Sequence, residues 1–290
     1  MFSFNPEKLI VDQPLGRGGS STIYPYRKTM NDERWVVKHL VTSNPQIMLK
    51  HINEIVLGFS LDHQFVLPVQ KYDIRYDPVL KNYNTYLKIS RMKETLRQKV
   101  DRLNKEKKPL SEKEIIQHFY ALSSGLAYMH RRKISHNDIK LENILIDSEG
   151  GLKIVDIGIG ELLDGNTSFD VLFVDGTLPY LAPEMLERSL KLKKRDLLKA
   201  DAWSLGVVMA ELCLLKPQLI DVAARGETKE LEFARYLEQV KKRYSRGLIE
   251  LIKSLLKANS KERKSVEEVY LTLKKKYPFV LVNTVLLMQE

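Results

Sequence analysis

Five apolar residues, Ile115, Phe119, Leu122, Leu126 and Met129, recur at helical spacing just after Ser111-Glu112-Lys113-Glu114. The serine and the glutamate three positions on form a capping-box signature. The pattern predicts an amphipathic helix whose apolar face is core and whose end delivers the chain to His136. The stretch 202–215 is apolar nearly all round and stops at Pro217, which predicts a buried central helix. Helical spacing returns over 231–243, 248–257 and 266–276, whereas 280–288 carries no clear pattern.

The first third of the chain has a different period. Runs rich in β-forming residues predict strands over 9–15, 22–27, 34–40, 63–69 and 86–89, with 72–83 a turn-rich insertion. Between the first two lies Gly16-Arg17-Gly18-Gly19-Ser20-Ser21, where glycines let backbone amides approach phosphates. Pro25 costs the second strand a ladder hydrogen bond unless it lies at an edge. In the third strand Val36 and Lys38 share a face. Asn44-Pro45 starts a helix on which Glu54 can pair with Lys38; a surface lysine and a surface glutamate are the bland alternative. The runs 144–146 and 152–155, separated by Glu149-Gly150-Gly151, predict a hairpin that brings Asn143 near Asp156.

Composition narrows the class. A chain of 290 residues can bury one substantial core, and its 43% hydrophobic content is ordinary. Residues 1–8 read as a leader and 278–290 as a tail. Neither a signal peptide nor a bilayer-spanning apolar run is present, so a soluble, cytoplasmic protein without membrane partners is expected. The single cysteine, Cys213, lies in an apolar helical stretch and reads as packing. The net charge of +10 comes from clusters at 97–108, 131–133, 191–195, 241–243 and 274–276. These are solvated faces that can also steer anions; the run 191–195 could serve as a nuclear address. Nucleic-acid binding is not expected, because no aromatic stacking positions accompany the charge.

The segment His136-Asn137-Asp138-Ile139-Lys140-Leu141-Glu142-Asn143 sets an acid, a base and an amide close together, and Asp156-Ile157-Gly158 adds a second carboxylate. Together with the glycine turn, Val36-Val37-Lys38, Ala182-Pro183-Glu184, Asp201-Ala202-Trp203 and Arg263, in that order, the chain resembles the eukaryotic protein kinases from about residue 9 to 277. The resemblance implies an α+β, two-lobed protein kinase fold. Its small, mostly antiparallel β lobe would cover about 9–89, its linker 90–92 and its larger, mostly α-helical lobe 93–277. It also implies ATP and Mg2+ as cofactors, with Mn2+ as a substitute.

By the same resemblance, Asp138 accepts or orients the substrate hydroxyl proton, Lys140 stabilises the transferred phosphate, and Asn143 and Asp156 hold the metal. Lys38 holds the phosphates through its pairing with Glu54. Leu15, Gly16, Gly18, Ile23, Val36 and Leu145 bind the nucleotide, Ser90 and Met92 offer backbone groups to the adenine edge, and Ile89 guards the deeper pocket. Glu184 and Arg263 form a buried ion pair, and Asp201 braces the catalytic loop. Lys140 and Gly176-Thr177 resemble the serine/threonine branch, which implies a protein substrate with a serine or threonine acceptor and puts Thr177 on the substrate platform. The region 176–184 is similar to checkpoint and calcium/calmodulin-type kinases and the early region to the NIMA-related group, so the subfamily stays open.

Several positions depart from the family pattern. Ser21 stands for the third glycine and Val36 for the usual alanine. Ile157 replaces a phenylalanine, and Gly58 falls where a large apolar residue would stack against it. Two layers of a hydrophobic column thereby lose volume, and such large-to-small changes cost about 1 to 5 kcal/mol unless neighbours such as Leu57 and Phe59 fill the gap. Asn137 replaces the arginine that pairs with a phosphorylated loop residue in many kinases, so control through Lys38 and Glu54 is expected rather than through Thr167, Ser168 or Thr177. The alternative is a pseudokinase, a nucleotide-binding or scaffolding module without transfer. A kinase of small molecules fits less well.

Overall fold

The computed structural model describes residues 13–17, 21–26, 34–157, 161–162, 176–186, 194–217 and 227–278. Antiparallel strands β1 (Gly16–Arg17), β2 (Ser21–Tyr26), β3 (Trp35–Thr42), β4 (Lys71–Asp77) and β5 (Asn82–Ser90) form one sheet in the order β1-β2-β3-β5-β4. Alternation along β3 puts Val36, Lys38 and Leu40 on the face covered by α1 (Pro45–Ser60). There Leu40, Ile55, Val69 and Leu87 make a small core. Helix α1 begins where the sequence says it should: Asn44 caps it by accepting from the Gln46 amide at 2.8 Å, and Pro45 needs no partner for the N–H it lacks.

The remainder is mainly helical. In order come β6 (Glu94–Thr95), α2 (Leu96–Glu106), α3 (Glu112–Arg131), β7 (Ile134–Ser135), β8 (Ile144–Ile146), β9 (Leu152–Ile154) and β10 (Glu161–Leu162). They are followed by α4 (Pro183–Leu186), α5 (Lys194–Leu214), α6 (Glu227–Glu238), α7 (Arg246–Leu255) and α8 (Val266–Lys276). One large core joins α3, α5, α7 and α8 through Phe119, Leu126, Trp203, Leu212, Ile252 and Val269. The predicted capping box at Ser111 is formed, with the Ser111 amide donating to Glu114 at 2.8 Å. The α+β class therefore stands: an antiparallel sheet first, helices after it.

Five expectations are corrected. Of the strand expected over 9–15, residues 9–12 lie outside the described residues; 13–15 are not strand and the short β1 follows them, although the Leu15 amide extends the ladder by donating to the Ile23 carbonyl at 2.8 Å. Residues 63–69 are not a strand: only Val66 makes a bridge, to Ile154, and Phe65 and Val66 are apolar because they enter the large core. The supposed insertion at 72–83 is the regular hairpin of β4 and β5. Asp77 closes its turn by accepting from the Val79 and Leu80 amides at 2.8 and 3.0 Å. The central helix begins at Lys194 rather than 202. The helix expected over 231–243 is α6, which starts at Glu227 and ends at Glu238, with turns after it.

Helix α2 was hidden in a run read only as a basic cluster. Its signal is a second capping box, in which Thr95 accepts from the Gln98 amide at 3.1 Å and Gln98 from the Thr95 amide at 2.8 Å. Pro25 pairs with Val36 on β3, while the described part of β1 reaches only Ile23, so it stands past the end of that ladder. Gly18, Gly158, Thr167, Ser168, the 1–8 leader and the tail beyond 278 lie outside the described residues.

Candidate active site

Lys38 projects from β3 opposite Ile23, and its ammonium lies 2.7 Å from Glu54 Oε1 on α1 and 3.1 Å from Asp156 Oδ1 after β9. Burial disfavours the ammonium, but the two carboxylates more than offset it and raise the lysine above its ordinary value. Burial pushes Glu54 up despite the pull of Lys38. Asp156 is held below the usual carboxylate range: burial alone would raise it, and the Lys38 charge and hydrogen bond outweigh that. With two carboxylates around one ammonium, the more deeply buried Glu54 is the one that gives up its charge more readily, and Asp156 stays ionised.

The loop after β7 is clamped from below by Asp201 on α5. Its carboxylate accepts from the backbone amides of His136 and Asn137, both at 2.8 Å, and lies 2.9 Å from His130 Nε2. Asn137 has φ +67°, a left-handed conformation that asparagine tolerates better than most residues. The Asp138 amide donates to His136 Nδ1 at 3.2 Å, so the proton belongs on Nε2, which donates to the Val155 carbonyl at 3.0 Å. The imidazole thus ties the loop to the segment carrying Asp156.

Asp138 is the centre of the polar network. Its Oδ2 accepts from Lys140 Nζ at 2.6 Å and from Asn143 Nδ2 at 2.9 Å, and its Oδ1 accepts from the Thr177 hydroxyl at 2.7 Å. Lys140 also donates to Thr177 Oγ1 at 2.8 Å. Asn143 is buried on a turn of 3₁₀ helix, and its carbonyl accepts from the Val155 amide at 3.0 Å, close to Asp156. Ahead of Thr177, Gly176 has φ +128°, and a Cβ there would lie 2.9 Å from the Asn137 carbonyl oxygen, so only glycine lets the segment approach so closely.

Buried contacts from the helices behind it hold that segment. Arg263 is fully buried and grips Glu184 through two hydrogen bonds of 2.6 and 2.9 Å, with further bonds to the Lys257 and Lys199 carbonyls at 2.9 and 2.7 Å. The Tyr180 hydroxyl donates to Glu211 Oε2 at 2.9 Å, and Ser204 Oγ donates to the Tyr180 carbonyl at 2.8 Å.

The remaining sequence-named residues lie on β1, β2, β3, β5 and β8 and in the stretch after β5. Val36 is buried and pairs with Ile89, and Ile23 pairs with Gly16, while Leu15 is exposed. Ser90 is the last residue of β5 rather than the first of a free linker. Arg91 then bonds the Arg34 carbonyl through its amide at 2.7 Å, Met92 follows, and the Lys93 amide donates to the Ile146 carbonyl at 2.8 Å. Leu145 pairs with Thr95 on β6, which places β8 directly after this crossing. Sequence reasoning missed His130, whose partner lies 71 positions away, and the direct Lys140–Thr177 bond, which spans 37.

Comparison with known proteins agrees with this architecture. A family described as "Protein kinase domain" matches residues 9–274. An Aurora kinase of Patiria pectinifera is 28% identical over 274 residues, covering 89% of this chain and 60% of that protein. Serine/threonine-protein kinase Nek2 of Homo sapiens is 32% identical over 57% of this chain and 37% of its own length. Serine/threonine-protein kinase TAO2 of Xenopus laevis is 31% identical over 77% of this chain and 21% of its own length. The chain thus spans less than two thirds of these curated relatives. Because the family match runs from before the glycine turn to the last turns of α8, this chain belongs to the protein kinase domain family.

Proposed function

We propose that the chain is a serine/threonine protein kinase that moves the γ-phosphoryl group of ATP to a protein hydroxyl, with 9–277 as its catalytic domain. The carrying observation is the arrangement at Asp138, whose Oδ1 already receives a hydroxyl, that of Thr177, at 2.7 Å while Lys140 and Asn143 hold Oδ2. A substrate serine or threonine entering on the same side would meet an oxygen placed to orient it and take its proton. Its oxygen then bonds phosphorus as the bridge to the β-phosphate breaks. Lys140 would neutralise charge on the phosphoryl oxygens in flight, and Lys38, braced by Glu54, would hold the phosphates of the donor.

The donor set fits magnesium. Asn143 spends its amide N–H groups on Asp138, which leaves its amide oxygen for a cation, and the Asp156 carboxylate is held ionised beside it. No cluster of three or more His, Cys, Asp or Glu suited to a metal occurs among the described residues. One carboxylate and one amide suit an ion that keeps waters and shares its ligands with phosphate. Asn143 and Asp156 would hold such an ion, which would supply neutralisation of the phosphate charge. The Lys140–Thr177 bond and the serine/threonine kinases among the relatives support the acceptor class. No helix among the described residues is long and apolar enough to cross a membrane.

The competing reading is a scaffold without transfer, which Ile157 and Gly58 favour by departing from the family pattern. Magnesium-dependent transfer of labelled phosphate from ATP to a generic protein substrate tests the two. Phosphoserine or phosphothreonine product is expected. Nucleotide binding without any transfer would favour the scaffold, and phosphotyrosine as the main product would overturn the acceptor class.

A further inference from the structure

Arg132 caps the C-terminal end of α3, and its guanidinium carbon lies 3.9 Å from the centroid of the Tyr128 ring, one turn back on the same helix. That ring is itself fixed: its hydroxyl accepts from the Asp62 amide at 2.9 Å, and it stacks with the His63 imidazole at 4.8 Å. His63 Nδ1 accepts from the Phe65 amide at 3.2 Å, so the ring proton belongs on Nε2, which lies 3.4 Å from Ser124 Oγ. A guanidinium laid over a ring that cannot move has lost much of its rotamer freedom before any ligand arrives. Its donors are nevertheless left over: Arg132 is exposed, and its side chain forms no hydrogen bond or ion pair among the described residues.

The neighbours add charge of the same sign. Lys153, on β9, donates to the Gln64 carbonyl beside His63, and Arg131 grips Glu267 on α8 through bonds of 2.8 and 3.1 Å. All three cations converge on His63, where burial and then Arg131, Lys153 and Arg132 hold the imidazole down to about 4, opposed by Asp62. The helix dipole explains cations in the last turn of α3, which His130 and Arg131 supply. It does not explain a guanidinium seated over a ring with its fork unused.

We infer that this corner, Arg132 with Lys153 and Arg131 beside it, is a binding site for a phosphorylated side chain of a protein partner. A phosphate monoester gathers about two charges and three acceptor oxygens at one point, which suits a single guanidinium already in place. An extended polyanion such as RNA or an anionic membrane fits less well, because Asp62 and Glu267 set negative charge among these cations. None of these residues is among those assigned to phosphoryl transfer, so a chain without transfer activity would still hold the phosphate.

The test is an NMR titration of the full chain, without nucleotide, by a short peptide with a central phosphoserine and by the same peptide with serine or glutamate there. Arg132 Nε–Hε and the backbone amides of 131–133 report binding. The phosphoserine peptide should bind at least about tenfold more tightly than the serine peptide and severalfold more tightly than the glutamate one. Arg132→Ala and Arg132→Lys should each weaken it by about tenfold, the lysine failing because an ammonium offers no planar fork. Lys153→Gln should weaken it by about threefold. Lys242→Gln, in a separate basic cluster, should leave it unchanged, and circular dichroism melts check that each variant is folded. The proposal is overturned by a serine peptide that binds as well as the phosphoserine one, by Arg132 variants with parental affinity, or by an equal loss in Lys242→Gln, which would assign the binding to the overall charge of +10. It is also overturned by an Arg132-dependent affinity for single-stranded RNA or phosphatidylserine vesicles that exceeds the affinity for the phosphopeptide.

Discussion

Val69 occupies the space that a side chain on Gly58 would need: a Cβ on Gly58 would lie 2.5 Å from Val69 Cγ2 and 3.2 Å from Val69 Cβ. The Val69 amide also donates to the Gly58 carbonyl at 3.1 Å. The sequence suggested a hole at this layer; instead the neighbour has moved in, and Ile157 is buried as well. Gly58→Ala should therefore destabilise by about 1 to 2 kcal/mol, because overpacking at a short, branched side chain exceeds the roughly 1 kcal/mol that alanine gains over glycine in a helix. Urea denaturation would show it, and adding Val69→Ala should recover part of the loss. A stabilised Gly58→Ala would mean that the contact is looser than described.

Asp138 and Asp156 should fail differently when neutralised. Asp138→Asn should lower turnover by about 10²- to 10⁴-fold while leaving nucleotide affinity near the parent value, since it meets the hydroxyl rather than the donor. Asp156→Asn should weaken magnesium-dependent nucleotide binding as well as turnover. Parental transfer rates in both variants would remove the proposed mechanism.

The Glu184–Arg263 pair should dominate the stability of the segment it anchors. Glu184→Gln strands a fully buried guanidinium and should cost about 3 to 5 kcal/mol, whereas a surface pair such as Arg131–Glu267 should cost less than about 1 kcal/mol. Arg263→Lys should not rescue, because an ammonium cannot make the forked contact. Equal losses at the two pairs in denaturant titrations would contradict this ranking.

His118 should make the fold acid-sensitive. Burial, and then the charge of Lys99 whose ammonium lies 3.1 Å from its Nε2, lower this imidazole to about 3. The unfolded chain takes up the proton first, so stability is fully present above about pH 6.5 and falls as pH drops toward the folded value. By about pH 5 the loss should reach roughly 2 kcal/mol. A His118→Gln variant should show a flatter melting temperature between pH 7 and 5 than the parent, and parallel profiles would refute the assignment.

Asn137 carries no charge with which to grip a phosphate. Phosphatase treatment of the purified protein should leave its activity unchanged within about twofold, because the bidentate contact that an arginine would supply is missing. A collapse of activity reproduced by Thr167→Ala or Ser168→Ala would show that another cation has taken over.

What could be read in advance follows the range of the interactions concerned. Helix α8 has the bounds that its periodicity gave, and α1 starts at its predicted cap, because caps and apolar faces are local. Lys38 reaches Glu54 on α1 as the family resemblance implied. The hairpin of β4 and β5 was obscured because β4 is an edge strand, with Tyr72, Ile74 and Tyr76 exposed among charged residues rather than alternating against a core. Residues 63–69 misled in the opposite sense, apolar through burial rather than pairing. The exclusion of a side chain at Gly58 could not be read at all, since it depends on how closely the Val69 side chain packs against the helix.

The same stretch, 63–69, gives the molecule its mechanics. The Leu67 amide donates to the Ile154 carbonyl and the Ile154 amide to the Phe65 carbonyl, at 2.9 and 2.8 Å, while the Tyr128 hydroxyl receives the Asp62 amide at 2.9 Å. Leu57 and Leu61, at the far end of α1, pack into the large helical core, whereas Ile55 packs into the small core under the sheet. The end of α1 is thus tied to the helical part while the turn before it packs under the sheet, so one helix is shared by both cores. Glu54 sits one turn before Leu57 and Gly58, where the helix passes from the small core under the sheet to the large helical core.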